Sequence, residues 1–196
     1  MRSFAFALVA AGAAVTAFAA PASAQDSAPF AGAHVDALFG WDRFQKQGHD
    51  NGVLYGLGAG YDVNMGGTLV GIEGELNGSN VRRNQYDVLA AGDRLSTKAG
   101  RDLYIGGRIG KVVGGRTLLY AKAGYTNLRT TVSYLDGTQA GTDDFRFHRN
   151  LDGARVGAGA EYAIGPNSYL KAEYRYSNYA KGYTSNQVVG GFGFHF

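Results

Sequence analysis

The segment VLYGLGAGYDV, which spans Val53–Val63, carries an apolar side chain at every odd position, while Gly56, Gly58, Gly60 and Asp62 lie at even positions. Successive side chains of a β-strand point to opposite faces, so a period of two is the signature of a strand. The alternation lasts about twice as long as the typical strand of about 5–6 residues in soluble proteins. The segment therefore predicts a long strand with one apolar face.

The same alternation recurs along most of the chain. The composition agrees with a strand-rich protein, because 31 Gly, 13 Tyr and 11 Phe accompany only 3 Pro among 196 residues. The seven further segments that alternate are Ala31–Trp41, Val70–Leu76, Leu103–Gly110, Leu119–Tyr125, Ala154–Tyr162, Leu170–Tyr176 and Val188–Phe196. With Val53–Val63 they predict an all-β fold of eight strands.

The connections between these strands alternate in length. Asn64–Gly67, Val113–Arg116 and Gly165–Ser168 have the composition of tight turns. Ser79–Gly100 and about Asn127–Asn150 are expected to be long loops, although the second could begin as strand. Short turns at one end and long loops at the other are typical of outer-membrane barrels. The prediction is an eight-stranded antiparallel up-and-down transmembrane β-barrel.

One face of each predicted strand is nearly free of charge, and we assign that face to lipid. Three observations favour this assignment over a soluble barrel. The strand lengths match the roughly 9–11 residues of a tilted membrane-spanning strand, and the amino-terminal segment has the features of a secretion signal. The apolar face also carries aromatic residues near strand ends, as an aromatic girdle would: Trp41, Tyr55, Tyr61, Tyr125, Tyr162 and Tyr176.

The opposite face of the strands must then point into the barrel. Its charges are nearly balanced, and they are Asp36, Asp62, Glu73, Glu75, Glu161 and Glu173 with Arg108, Lys122, Arg155, Lys171 and Arg175. An eight-stranded barrel is just wide enough for side chains to fill it. We therefore predict an ion-pair network that closes the lumen, and assign to it Asp36, Glu73, Glu75, Arg108, Lys122, Arg155, Glu173 and Arg175. Inward glycines such as Gly58 and Gly157 would leave room for it.

The amino terminus predicts a secretory signal peptide over residues 1–24. Arg2 precedes an apolar run over Phe4–Ala20, and Ala22-Ser23-Ala24 forms a small-residue cleavage site. The mature barrel domain is then expected to span residues 25–196 and to begin at Gln25. The absence of Cys excludes disulfides and a cysteine-linked lipid anchor. A net charge of +3 is too weak to indicate nucleic acid.

These features together resemble the OmpA-like outer-membrane β-barrel proteins in their small single-domain form. The resemblance is carried by the signal peptide, the eight strands and the ending GFGFHF, Gly191–Phe196. It implies a multi-pass protein of the bacterial outer membrane, in contact with outer-membrane lipid and lipopolysaccharide. The alternating Phe192, Phe194 and Phe196 resemble the carboxy-terminal signal that the barrel assembly machinery reads.

The interpretation that follows is a structural barrel whose extracellular loops contact surfaces, as an adhesin or antigen does. The predicted loops carry a mildly basic set of residues that could hold lipopolysaccharide phosphates or an anionic host or phage ligand. That set is Arg43, Lys46, Arg82, Arg83, Arg94, Lys98, Arg129, Arg146, Arg149 and Lys181. A small-solute pore is the alternative, and it would require the inward network to open.

A lipid-modifying enzyme is the less favoured alternative. His34 and His195 are expected to point inward, His49 and His148 are expected in loops, and no histidine has a serine two residues away on a lipid-facing strand. A nucleophile needs a base within hydrogen-bond reach, so no catalytic site is predicted. The sequence GLGAG opens no helix and does not fit a nucleotide loop. No cofactor and no cluster of metal ligands are predicted.

Overall fold

The computed structural model describes residues 30–45, 49–80, 82–86, 94–135 and 145–196. The predicted signal peptide lies outside these residues. The strands, in chain order, are β1 (Gly32–Gln45), β2 (His49–Met65), β3 (Thr68–Ser79), β4 (Arg82–Tyr86), β5 (Arg94–Val113), β6 (Thr117–Leu135), β7 (Phe145–Ala163), β8 (Ser168–Tyr179) and β9 (Tyr183–His195). No helix in the described ranges is long and apolar enough to cross a membrane.

The strands form one closed antiparallel barrel. Each long strand pairs with the long strand that follows it, and β9 returns to pair with β1 from His34↔His195 to Gln45↔Thr184. The short β4 continues β3, since both pair with β5. The nine strands therefore occupy eight positions around the barrel, which confirms the predicted up-and-down fold.

Three tight turns close one end of the barrel, which we call the turn end. The turn between β2 and β3 places Gly66 and Gly67 at φ values of 64° and 86°, a backbone region that glycine enters without steric cost. The side chain of Asn64 accepts a hydrogen bond from the Gly67 amide at 2.9 Å. These turns lie where the sequence predicted them. The opposite end, where the longer connections lie, is called the loop end.

The two predicted long loops are wrong in extent, because much of each is strand. Ser79–Gly100 contains β4 and the start of β5, and Asn127–Asn150 contains the end of β6 and the start of β7. His49 and His148, expected in loops, accordingly lie in β2 and β7. The alternation fails in these strand ends because polar residues occupy both faces, as in the run Thr130-Thr131-Val132-Ser133.

The extra strand length forms a small sheet beyond the barrel wall. β5, β6 and β7 have 20, 19 and 19 residues, whereas β3 and β8 have 12 each. Pairing of β7 with β8 stops at Gly153↔Tyr179, so among the described strands the start of β7 pairs with β6 alone. We call this region the projecting sheet, and it comprises Arg82–Tyr86, 94–100, 129–135 and 145–150.

The barrel carries its charges inside and its large apolar side chains outside. Ile72 and Ile105 on the outer wall are 70% and 65% exposed, whereas soluble proteins bury such side chains. The aromatic residues predicted for the girdle all lie on this wall and are exposed: Trp41, Tyr55, Tyr61, Tyr125, Tyr162 and Tyr176. This reversed distribution is the one expected of a barrel that is surrounded by lipid.

Candidate functional site

The lumen of the barrel holds all of the charged residues that strand alternation directs inward. Each of the eight residues assigned to the network, and Asp62, Glu161 and Lys171 besides, is at most 5% exposed. They reach the lumen from seven strands, because every second side chain of a barrel strand points inward. The structure thus brings the predicted network residues into one volume.

Lys122 lies at the centre of this group. Its ammonium nitrogen is 2.8 Å from Glu73 Oε1, 2.6 Å from Glu75 Oε1 and 2.8 Å from Glu173 Oε1. The ring centroid of Tyr104 lies 4.7 Å from the same nitrogen, which is within cation–π range. The ammonium group of one lysine therefore forms ion pairs with three carboxylates, two on β3 and one on β8.

The same three glutamates correct the expectation that no metal ligands cluster. Glu73, Glu75 and Glu173 are buried, and one oxygen of each lies within 4.8 Å of the others. Two of them are neighbours on β3, and the third is on β8, across the barrel. The ammonium group of Lys122 lies between them. In this chain the group that the carboxylates hold is a side-chain cation.

The three arginines extend the network towards both ends of the lumen. Arg108 donates to Glu161 at 2.7 Å and, through two of its nitrogens, to Asp62. Such a bidentate arrangement is among the stronger pairings that proteins make. Arg155 donates to Asp102 and to the Ser177 hydroxyl. In these pairs every charge is held by partners on other strands.

Arg175 and Lys171 complete the paired cations of the lumen. Arg175 donates to Glu75 Oε1 at 2.8 Å and also bonds Glu173 on its own strand. Lys171 donates to Asp36 at 3.3 Å. Asp36 in addition accepts a hydrogen bond from the Tyr169 hydroxyl. The network thus joins charges to buried tyrosines as well as to one another.

Sequence reasoning missed two carboxylates of the lumen. Asp42 and Asp102 are both 4% exposed, and each lies one residue outside a segment in which the alternation was recognised. Extending the alternation by one residue would have found them. Asp102 pairs with Arg155. Asp42 accepts a hydrogen bond from Ser185 at 2.6 Å and, among the described side chains, forms no ion pair.

Glycines provide the room that these long side chains need. A β-carbon placed on Gly58 would lie 2.9 Å from Asp36 Oδ2, and one on Gly157 would lie 3.3 Å from two side-chain carbons of Lys122. The first distance is too short for an ordinary contact. The space next to Asp36 therefore exists because the facing residue on β2 has no side chain.

Apolar clusters pack above and below the charged layer. At the turn end the cluster is Phe30, Leu69, Leu118, Tyr120 and Tyr169. At the loop end it is Leu128, Leu151 and Tyr179, with Phe44 and Tyr183 against them. A cavity between the loop-end cluster and the charged layer measures only about 10 Å³, roughly the space of one water. Side chains thus fill most of the space at this level of the lumen.

Most of the exposed cations among the described residues lie on the outer surface near the loop end, whereas Lys111 and Arg116 lie at the turn end. Arg43, Arg129 and Arg149, which the sequence placed in loops, lie in β1, β6 and β7, and Lys181 lies in a 3₁₀ turn before β9. Arg101 on β5 is also exposed and was missed. The outward Asp152 accepts a hydrogen bond from Asn127 at 2.7 Å and another from the Tyr125 hydroxyl.

The three alternating phenylalanines lie on the outer wall beside the closing seam. Phe192, Phe194 and Phe196 are exposed, and the first two stack edge to face with centroids 4.9 Å apart. The amide of Phe196 donates to the carbonyl of Ala33 at 2.9 Å. The final residues of β9 thus present apolar rings to the surroundings while their backbone joins β1.

The sequence matches one family model over nearly its whole length. Residues 10–196 match the model described as outer membrane protein β-barrel domain. No curated protein is detectably similar in sequence.

Solved structures with a similar fold come from several bacteria. The attachment invasion locus protein Ail of Yersinia pestis, solved in complex with the heparin analogue sucrose octasulfate, superposes with a TM-score of 0.56 at 15% identity, over 85% of this chain and 99% of that one. Neisserial surface protein A gives a TM-score of 0.58 at 18% identity, over 85% and 98% of the two chains. The amino-terminal barrel of Pseudomonas aeruginosa OprF gives 0.50 at 18%, over 84% and 98%. At these identities the likeness concerns the fold.

Proposed function

Because the chain belongs to the outer membrane protein β-barrel domain family, and so crosses the bacterial outer membrane with its strands, we propose that it is a non-catalytic surface protein. In this proposal the barrel is a closed anchor, and the projecting sheet binds anionic ligands outside the cell. Short turns face the periplasm in such barrels, which puts the projecting sheet on the extracellular side.

The observation that carries the proposal is the projecting sheet itself. Strands of 19–20 residues are about twice the roughly 9–11 that cross a bilayer. In this excess, residues 147–150 of β7 are exposed and have no described partner on the β8 side. An open strand edge can pair with a further extended segment, and exposed side chains can contact a ligand.

Basic positions lie side by side on this sheet. Arg82 on β4 pairs with Lys98 on β5, Lys98 pairs with Thr131, and Thr131 pairs with His148. Directly paired residues point to the same face of a sheet. The row crosses four strands, and three of its four positions can carry positive charge, with Thr131 between Lys98 and His148; such a row suits a sulfated or phosphorylated polymer.

The packing of the lumen argues for an anchor over a pore. A conducting path would have to break several buried ion pairs, including the three that Lys122 makes with Glu73, Glu75 and Glu173. Breaking such a buried pair costs several kcal/mol, about 3–5 where one partner is removed. Wild-type protein in a planar bilayer is expected to show little steady conductance, and large stable channels would favour the pore alternative.

The binding experiment uses the full barrel in lipid nanodiscs with sucrose octasulfate as the probe. The test variant replaces Arg82 and Lys98 by Glu, and the control replaces Lys111 and Arg116, at the turn end, by Glu. Titration calorimetry should show saturable binding by wild type and control, and binding weakened on the order of tenfold or more in the test variant. Equal binding by all three proteins, or binding by none, would contradict the proposal.

A further inference from the structure

We propose that the outer wall carries a specific site for one phosphorylated, acylated lipid of the outer leaflet. The site consists of an apolar groove across β1, β2 and β3 and of two arginines above it, Arg101 and Arg129. This inference rests on the location of the barrel in the outer membrane. It does not depend on ligand binding by the projecting sheet.

The groove lies on the lipid-facing side of the barrel. It is an open depression of about 690 Å³, and its outward lining consists of Ala37, Phe39, Tyr55, Leu57, Leu76, Gly78 and Arg101. Phe39 pairs with Tyr55, Tyr55 with Gly78 and Gly78 with Arg101. One cross-strand row therefore leads from two aromatic side chains, across a glycine, to a guanidinium.

Gly78 is the residue over which the ring of Tyr55 lies. A β-carbon there would lie 3.0 Å from two carbons of the Tyr55 ring, so the tyrosine leans over the position where a side chain would stand. Any larger residue would push this ring outward into the groove. Apolar side chains, the Tyr55 ring among them, thus form much of the groove surface, which suits an acyl chain.

A bulge in β5 brings the second arginine next to the first. The register of β5 against β6 shifts between Ala99 and Asp102, and a β-carbon on Gly100 would lie 2.8 Å from the Arg129 carbonyl oxygen. Arg101 and Arg129 are both exposed, and no carboxylate of the described residues pairs with either. Asp152, an outward acid of this region, is already bonded to Tyr125 and Asn127.

The level of the arginines on the wall identifies the occupant. The outward residues that follow Arg101 along β5 are Leu103 and Ile105, and Tyr125 precedes Arg129 along β6. The pair therefore lies directly above the apolar band, where lipid phosphates lie. Arginine forks match phosphate geometry and bind it through two parallel hydrogen bonds. A lipid with a phosphate head and acyl tails fills both parts of the site.

The experiment measures lipid retention by native mass spectrometry of the full barrel, refolded in detergent with lipid A as the probe. Dephosphorylated lipid A and phosphatidylcholine serve as comparison lipids. The test variants are R101Q/R129Q and G78L, and the control is K111Q, an outward cation at the other end of β5. Folding of each variant is checked by its unheated electrophoretic mobility.

Wild type and K111Q should retain one lipid A per barrel. R101Q/R129Q should lose on the order of tenfold or more in apparent affinity, and should bind phosphorylated and dephosphorylated lipid equally. G78L should weaken binding of both lipids alike, because the leucine would push the Tyr55 ring into the groove and leave the arginines in place. Unchanged retention in R101Q/R129Q, an equal loss in K111Q, or displacement of lipid A by millimolar inorganic phosphate would each overturn the lipid site.

Discussion

The barrel wall and the projecting sheet are built from the same strands, yet they follow different sequence rules. Inside the wall, β6 alternates strictly, with Lys122 buried between the exposed Ala121 and Ala123. Beyond the wall, the same strand reads Thr130-Thr131-Val132-Ser133 and loses the alternation. A strand alternates because its two faces meet different surroundings. In the projecting sheet Thr130 is buried and Thr131 is half-buried, yet both are threonine, so the strand persists there without a contrast between its faces.

The comparison predicts that removing a lumen charge has the largest effect on stability. Arg108→Ala would leave Asp62 and Glu161 without their main cation in the buried layer, and we expect a loss of about 3–5 kcal/mol in the free energy of unfolding. Arg149→Ala, on the projecting sheet, should change it by about 0.5 kcal/mol or less. Urea titration in lipid vesicles measures both. Similar losses in the two variants would contradict the distinction between the regions.

Lys122→Ala tests whether the Lys122 ammonium group occupies the place that a metal ion could take among three carboxylates. The variant should be destabilised by a similar amount, about 3–5 kcal/mol, because three carboxylates lose their shared cation. Their oxygens lie within 4.8 Å of one another, and carboxylates are the ligands that Ca²⁺ prefers. Millimolar Ca²⁺ should therefore raise the unfolding midpoint of the variant and leave that of wild type unchanged. A calcium effect of equal size on both proteins would argue against this view of the cluster.

The same charge introduced on the outward face should cost much more stability in the barrel wall than in the projecting sheet. Ile105→Lys places an ammonium in the middle of the lipid-facing run of β5, and we expect it to cost about 2–4 kcal/mol. Asn150 is an exposed residue of β7 on the projecting sheet. Asn150→Lys should lower the free energy of unfolding by about 0.5 kcal/mol or less. Equal unfolding midpoints for the two variants in vesicles would show that the outer wall does not face lipid.

The smallest effect on stability is expected for deletion of Phe196, which should act on assembly. Deleting Phe196 should lower the amount of protein that reaches the outer membrane, because the alternating phenylalanines are proposed to be the signal for the assembly machinery. Deleting Thr138, which lies outside the described residues, should not. The comparison is the level of each variant in outer-membrane fractions. Equal levels would reduce the terminal phenylalanines to an ordinary apolar strand face.

Alternation made the barrel and the inward position of its charges predictable, because a period of two can be read from local sequence. Arg108 and Glu73 could be directed inward in this way before any partner was known. Their partners could not be predicted, since the register between strands far apart in sequence sets which acid meets which base. Lys122 contacts Glu73 on β3 and Glu173 on β8. These strands lie on different sides of the lumen, so the contacts follow from the closure of the barrel and not from local sequence. Strand β4 was not predicted, because its sequence RRNQY is polar at nearly every position and shows no alternation of apolar and polar residues.

The seam between β1 and β9 has a consequence for the time course of folding. His34 pairs with His195 there, so the contact that closes the cylinder joins residues from opposite ends of the described chain. Contacts of such large sequence separation slow folding, because the intervening chain must be ordered before they form. Until β9 pairs with β1, one edge of β1 has no hydrogen-bonding partner. The charged side chains of the lumen are also open to the surroundings on that side. We therefore expect closure of this seam to be a late step of folding.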